Sequence, residues 1–202
     1  SSSAASDVYK RQLLEISGKG QETGAPALRG EHNAQNALAA AALAMGLGVK
    51  QAAIAEGIMS FPGLPHRAQL VAERDGVRFI NDSKATNADA AARAMGVYER
   101  FVWIAGGTGK EGGIDDLASL FPRIEKAYLI GRDGPAFAAR LNEAGIANEV
   151  VETLDRAVPA AYATAKAGSG VVLFSPAAAS FDQFPNFEVR GARFTALAKG
   201  EA

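Results

Sequence analysis

Three stretches of this 202-residue chain gather residue types suited to holding a small anion. NDSKATN, Asn81 to Asn87, follows the apolar run VRFI; GGTGKEGG, Gly106 to Gly113, follows FVWIA; SPAAASFDQFPNF, Ser175 to Phe187, follows VVLF. Between them they carry the cations Lys84 and Lys110 and the hydroxyls of Thr86, Ser175 and Ser180. Loops that leave strands and open helices also present backbone N–H groups, the natural partners of carboxylates and phosphates. Each residue has a plainer use as well. Thr86 or Asn87 can cap the following helix, and a lysine is most often a solvated surface charge. What favours a ligand is that all three loops fall on one edge of the expected sheet.

GGTGK resembles a nucleotide phosphate loop but lacks its chemistry. That motif needs a glycine five residues before the Gly-Lys pair and a Ser or Thr after it to hold Mg²⁺, whereas Ile104 and Glu111 occupy those places. A nest beside Lys110 can still receive a carboxylate. His66 and Arg67, in GLPHR, follow a break in the chain where a hinge would carry an arginine toward phosphate; the alternative is that His66 packs a turn and Arg67 pairs with an acid. Asn33 and Asn36 share a face at a helix start, placed either to cap it or to meet the N6/N7 edge of an adenine.

The composition narrows the field. Cysteine is absent and histidine occurs only as His32 and His66, which excludes disulfides, thiolate nucleophiles, iron–sulfur clusters and ordinary structural zinc. Any metal would be held by oxygen. Lys and Arg total 21 against 22 Asp and Glu, a net charge of −1 that disfavours a nucleic-acid partner. With 48% apolar residues and a mean hydropathy near zero, the chain reads as globular. Its longest uncharged run, Ala34 to Val49, is alanine-rich and shorter than the ~20 strongly apolar residues of a membrane span. SSSAASD is not a secretory signal, so a cytoplasmic setting is expected. Residues 1–12 resemble nothing downstream and are expected to be disordered or a scar of assembly on a longer protein.

The elements that must position these loops follow from pattern. Asn33 is expected to cap a helix ending at Gly46, and a second helix spans Val49 to Ser60 before the break FPGLP. Two such helices cannot bury their apolar faces alone, so residues 13–62 are expected to finish a preceding domain. From residue 63 a new domain begins. Asp75-Gly76 suits a two-residue hairpin turn. Thereafter helices (88–95, about 116–121, 135–144, to 167, and a final one) alternate with FVWIA, KAYLI, NEVV and VVLF. That alternation predicts a mostly parallel sheet with helices on both faces, Gly145 and Gly168 closing helices and Pro135 opening one.

GEHNAQNALAA, FPGLPHR, INDSKATN, the glycines around Lys110 and SPAAASFDQFPNFEVRG together resemble the Mur ligases, and within them the D-glutamate-adding branch. The resemblance runs from about Leu28 to Lys199. It implies an α/β, Rossmann-like C-terminal domain (63–202) preceded by the helical end of a central ATPase domain (13–62). It also implies an ATP-dependent ligase that adds D-glutamate to UDP-N-acetylmuramoyl-L-alanine through an acyl phosphate in peptidoglycan precursor synthesis. Matched to the family's motifs, Asn33, Asn36, His66, Arg67 and Asp82 would bind ATP. Lys84, Thr86, Lys110, Ser180, Phe181 and Phe187 would bind D-glutamate, the two phenylalanines partly through backbone N–H groups.

The family's phosphate loop, Mg²⁺-binding acid and carbamylated lysine lie upstream of these motifs. The stretch is therefore expected to be inactive alone, with no catalytic residue assigned in it and no metal ligand of its own. ATP and Mg²⁺ would be held mainly by the missing segment, in a monomeric enzyme without membrane or nucleic-acid partners. Two other readings stand beside this one: a non-catalytic module for an anionic metabolite, and a ligase of the folate-polyglutamate type, whose own loop motif is not seen.

Overall fold

The computed structural model describes residue 25 and residues 27–201, and the chain divides into two compact units between Gly63 and Leu64. The first unit holds α1 (Glu31–Gly46) and α2 (Gln51–Ser60). Ala41 and Ile54 are buried in it, with Ala44 and Ile58 packed against them. Asn33 is not the cap of α1. Gly30, at φ 87°, makes the entry that a residue with a Cβ would resist, so the helix begins earlier and Asn33 lies in its first turn, donating to the Arg29 carbonyl at 2.9 Å. Helix α2 begins at Gln51, after Lys50 in extended conformation.

The second unit is a six-stranded sheet in the order β1-β2-β6-β3-β4-β5. The strands are β1 (Gln69–Arg74), β2 (Val77–Asn81), β3 (Phe101–Gly106), β4 (Ile124–Ile130), β5 (Asn148–Glu152) and β6 (Val171–Phe174). Only β1 runs antiparallel, joined to β2 through Asp75 and Gly76 at φ 50° and 78°, the positive values that a tight two-residue turn demands. The other pairs are parallel, so β2, β3, β4, β5 and β6 deliver their carboxyl ends to one rim.

Side chains alternate across the sheet as pleating requires. Phe101, Trp103 and Ala105 of β3 face a layer made by α3 (Ala88–Met95), a 3-10 segment (Asp115–Arg123) and α4 (Gly134–Glu143). Val102 and Ile104 face α5 (Leu154–Ala167) and α6 (Phe187–Lys199) on the other side. A strand buried on both faces must be apolar throughout, and FVWIA is.

Two local expectations need correction. The helix expected near Asp116 to Phe121 is a 3-10 segment, Asp115–Arg123, with Pro122, which has no N–H to donate, near its end. Gly145 closes α4 at φ 69°, but Gly168, at φ −138°, is not a left-handed terminator; Gly170, at φ 68°, takes that role. The Glu125 carboxylate, which accepts the Ser169 N–H at 2.8 Å, fills the space beside Gly168 where a Cβ would be.

Candidate functional site

The first loop leaves β2 into a polar network. Asn81 Nδ2 donates to the Gly191 carbonyl at 2.8 Å and to Thr195 Oγ1 at 3.0 Å, and lies 3.2 Å from His66 Nδ1. Asp82 accepts the Ala68 N–H at 3.0 Å on Oδ1 and the Ser175 hydroxyl at 2.7 Å on Oδ2. Desolvation raises its pKa to about 7, against the pull of those bonds and of the Arg67 charge. Ser83 Oγ donates to the Phe187 carbonyl at 2.8 Å. Lys84 follows exposed, its ammonium 4.9 Å from the centroid of the Phe187 ring. Asn87 caps α3 by accepting the Ala90 N–H at 2.9 Å, which leaves Thr86 half-buried beside it.

Residues 64–68 enter the sheet under conformational constraint. His66 and Ala68 both have positive φ, 62° and 43°. They are held there because Ala68 N–H donates to Asp82, Lys84 N–H to the His66 carbonyl at 3.1 Å, and the His66 ring packs where a Cβ on Gly191 would stand. His66 also meets the Phe187 ring edge-on at 6.2 Å. Arg67 stays exposed.

The second and third loops are tied to each other. Thr108 and Ala179 exchange backbone hydrogen bonds at 2.8 and 2.9 Å, and Gly106 N–H donates to the Pro176 carbonyl at 2.8 Å. Gly106 and Gly107, at φ 117° and 133°, run so close to their neighbours that a Cβ would strike the carbonyls of Ile130 and Ala179 respectively. Asp133 fixes the shape of the glycine loop: it accepts the Gly109 N–H at 2.6 Å and donates its own N–H to Gly107 at 3.0 Å. Ser180 is buried, whereas Phe181 stands 75% exposed.

The three loops thus meet at the carboxyl rim, joined through Asp82 to Ser175, Ser83 to Phe187 and Thr108 to Ala179. Lys84, Thr86, Ser180 and Phe187 lie along those seams. Lys110 lies further out, lining a cleft of about 370 Å³ with Gly109, Asp133, Phe137 and Arg140, and no residue of the other two loops lines that cleft. Asn33 and Asn36 belong to the other unit, on α1, where Asn36 is exposed. Asp82 is turned into the protein, so a ribose could reach it only if residues 66–68 gave way. Ser83, Asp133 and Arg190 were not singled out by the sequence. Ser83 stands inside NDSKATN and Arg190 inside FEVRG, but nothing in their residue types announces burial.

Fold and rim define a mostly parallel α/β domain in which three strand-end loops meet along one edge. Residues 66–177 match the family model described as Mur ligase, glutamate ligase domain, and the chain belongs to the Mur ligase family, whose members are ATP-dependent ligases. Among its relatives are proteins named UDP-N-acetylmuramoylalanine–D-glutamate ligase. That of Mesorhizobium japonicum is 58% identical over 174 residues, 85% of this chain and 37% of the relative. Those of Phenylobacterium zucineum and Caulobacter vibrioides are 55% and 54% identical, over 88% and 87% of this chain and 39% and 38% of theirs. The chain therefore spans under two fifths of the length of these relatives. The crystal structure of UDP-N-acetylmuramate–alanine ligase MurC from Thermotoga maritima shares the fold, with a TM-score of 0.59 at 20% identity over 86% of this chain and 39% of that one.

Proposed function

We propose that this chain is the glutamate-receiving part of a ligase that joins D-glutamate to UDP-N-acetylmuramoyl-L-alanine during cytoplasmic synthesis of peptidoglycan precursor. Supporting this is the seam of the three loops, which sets an exposed ammonium, Lys84, beside Phe187 and backs it with buried hydroxyls. D-Glutamate has two carboxylates and one reacting amine. Lys84, Thr86, Lys110 and Ser180, with backbone N–H groups at Phe181 and Phe187, are the donors that would hold the carboxylates and leave the amine pointing outward. Fixing the amine is the domain's contribution to rate, since orientation removes much of the entropy lost when two reactants meet.

ATP, when bound, supplies the phosphoryl group that activates the sugar-linked carboxylate toward that amine. Asn33 and Asn36 are proposed for its adenine, His66 and Arg67 for its phosphates and Asp82 for its ribose. Of these, Arg67 is the exposed cation and Asn36 the exposed amide, while Asp82 would have to be uncovered. Among the described residues no group of three or more His, Asp or Glu side chains converges to hold a metal. No described helix is long and apolar enough to cross a membrane.

The test is calorimetric titration of the chain with D- and L-glutamate. D-Glutamate is expected to bind more tightly; equal affinity for the two enantiomers, or none for either, overturns the reading.

A further inference from the structure

One residue behind the rim is not used by that reading. Arg190, in the first turn of α6, is 1% exposed. Its Nε donates to Ser83 Oγ at 3.1 Å and its Nη2 to the Ser83 carbonyl at 2.8 Å. Nη1 is buried and has no hydrogen-bond partner among the described residues. It lies against Gly107, where a Cβ would stand 3.1 Å from it, and the guanidinium centre is 5.8 Å from the centroid of the Phe174 ring, the last residue of β6. Arg190 therefore touches the roots of all three loops: Ser83 in the first, Gly107 in the second, and Phe174 immediately before the third.

Such a placement is unfavourable on its own. A guanidinium removed from water without a carboxylate bonded to it pays a desolvation penalty, and burial lowers its pKa to about 10, opposed by the charge of Asp182. Two hydrogen bonds to one serine could be made by a smaller, neutral side chain. A net positive charge under a glycine loop gains its use when an anion arrives above it, because the interior screens that charge less than water does.

We propose that Arg190 is a positioning residue of the diacid site: its charge, which forms no salt bridge among the described residues, is the counter-charge for a carboxylate held over Gly107 and Ser180, while its bonds to Ser83 keep Lys84 and Thr86 aligned with that carboxylate. This rests on the glutamate-binding reading and deepens it, naming a source of preference for a second carboxylate over an uncharged amide.

The test compares D-glutamate with D-glutamine, which differ by one charge, in calorimetric titrations of this chain at neutral pH. Wild type is expected to favour D-glutamate, Arg190→Met to reduce that preference about tenfold, and Arg190→Lys to stay within about threefold of wild type. An unchanged preference in a folded Arg190→Met variant overturns the proposal, even if both ligands bind more weakly. Should that variant not fold, Arg190→Gln provides the same comparison. If neither neutral variant folds while Arg190→Lys does, Arg190 is a core residue and the proposal fails. Wild type that binds D-glutamate with preference, beside an equally discriminating neutral variant, refutes the role of Arg190 alone. Wild type that binds no D-glutamate refutes the glutamate reading and this proposal together.

Discussion

Asp82 Oδ2 accepts the Ser175 hydroxyl proton at 2.7 Å, and that bond joins the carboxyl end of β2 to its parallel neighbour β6 within a site where Asp82 is 8% exposed. The carboxyl group has been taken out of water for structural ends, and its protonation must show in stability.

Burial raises the Asp82 pKa from 3.8 to about 7, so between those values the folded protein holds a proton that the unfolded chain releases. The stabilisation is complete below pH 4, falls as pH rises toward 7, and levels off above. Melting temperature measured from pH 4 to 8 is expected to decline with this group's contribution, on the order of a few kcal/mol. Asp82→Asn, which keeps the shape and can still bond Ser175, is expected to flatten that part of the profile; a profile as steep as wild type's would contradict the assignment.

Glycine substitutions separate crowded from open sites. Gly107→Ala places a methyl group against the Ala179 carbonyl at a φ of 133°, and a loss on the order of 2–4 kcal/mol is expected in denaturant unfolding. Gly57→Ala, inside α2 with nothing near its Cβ, is expected to stabilise that helix by up to ~1 kcal/mol. Helical content by circular dichroism under mild denaturant checks the second.

Asn87 and Asn186 cap α3 and α6 through bonds to the N–H groups of Ala90 and Val189 at 2.9 and 2.8 Å. Replacing either with alanine is expected to destabilise the domain by about 1 kcal/mol, as loss of a cap does. Both caps adjoin the rim, so chemical shifts of Thr86 and Phe187 amides are expected to move with them.

Lys84→Met and Lys110→Met test the division between the seam and the outer cleft. Each is expected to weaken D-glutamate binding roughly tenfold if its ammonium reaches a carboxylate. Lys84 stands beside Phe187 whereas Lys110 lines its own cleft, so a loss only at Lys84 would confine the diacid to the seam.

Much of this architecture could be read in advance because it is local. FVWIA and VVLF are uninterrupted apolar runs, and only a strand covered on both faces wants one; Asp75-Gly76 is a turn that few other pairs make easily. What escaped was set by neighbours distant in sequence. Asn33 lost the cap to Gly30 because the backbone enters α1 at positive φ, and Gly168 serves the Glu125 carboxylate, 43 residues earlier, rather than its own helix. Arg190 could not be recognised as buried, since an arginine on a helix usually faces water and only Ser83 and Gly107 explain otherwise. The rim loops were placed correctly at strand ends, yet the inward turn of Asp82 depends on Ala68 and Ser175, which no spacing rule connects to it.

The strand that stands between β2 and β3 is the last to be synthesised, β6. A nascent chain halted at α5 would hold two half-sheets with raw edges facing each other, β1–β2 on one side and β3–β4–β5 on the other, with nothing to bridge them. Closure waits for Val171 to Phe174, so the sheet and the rim formed by its strand ends are completed together, only after every other strand has been made.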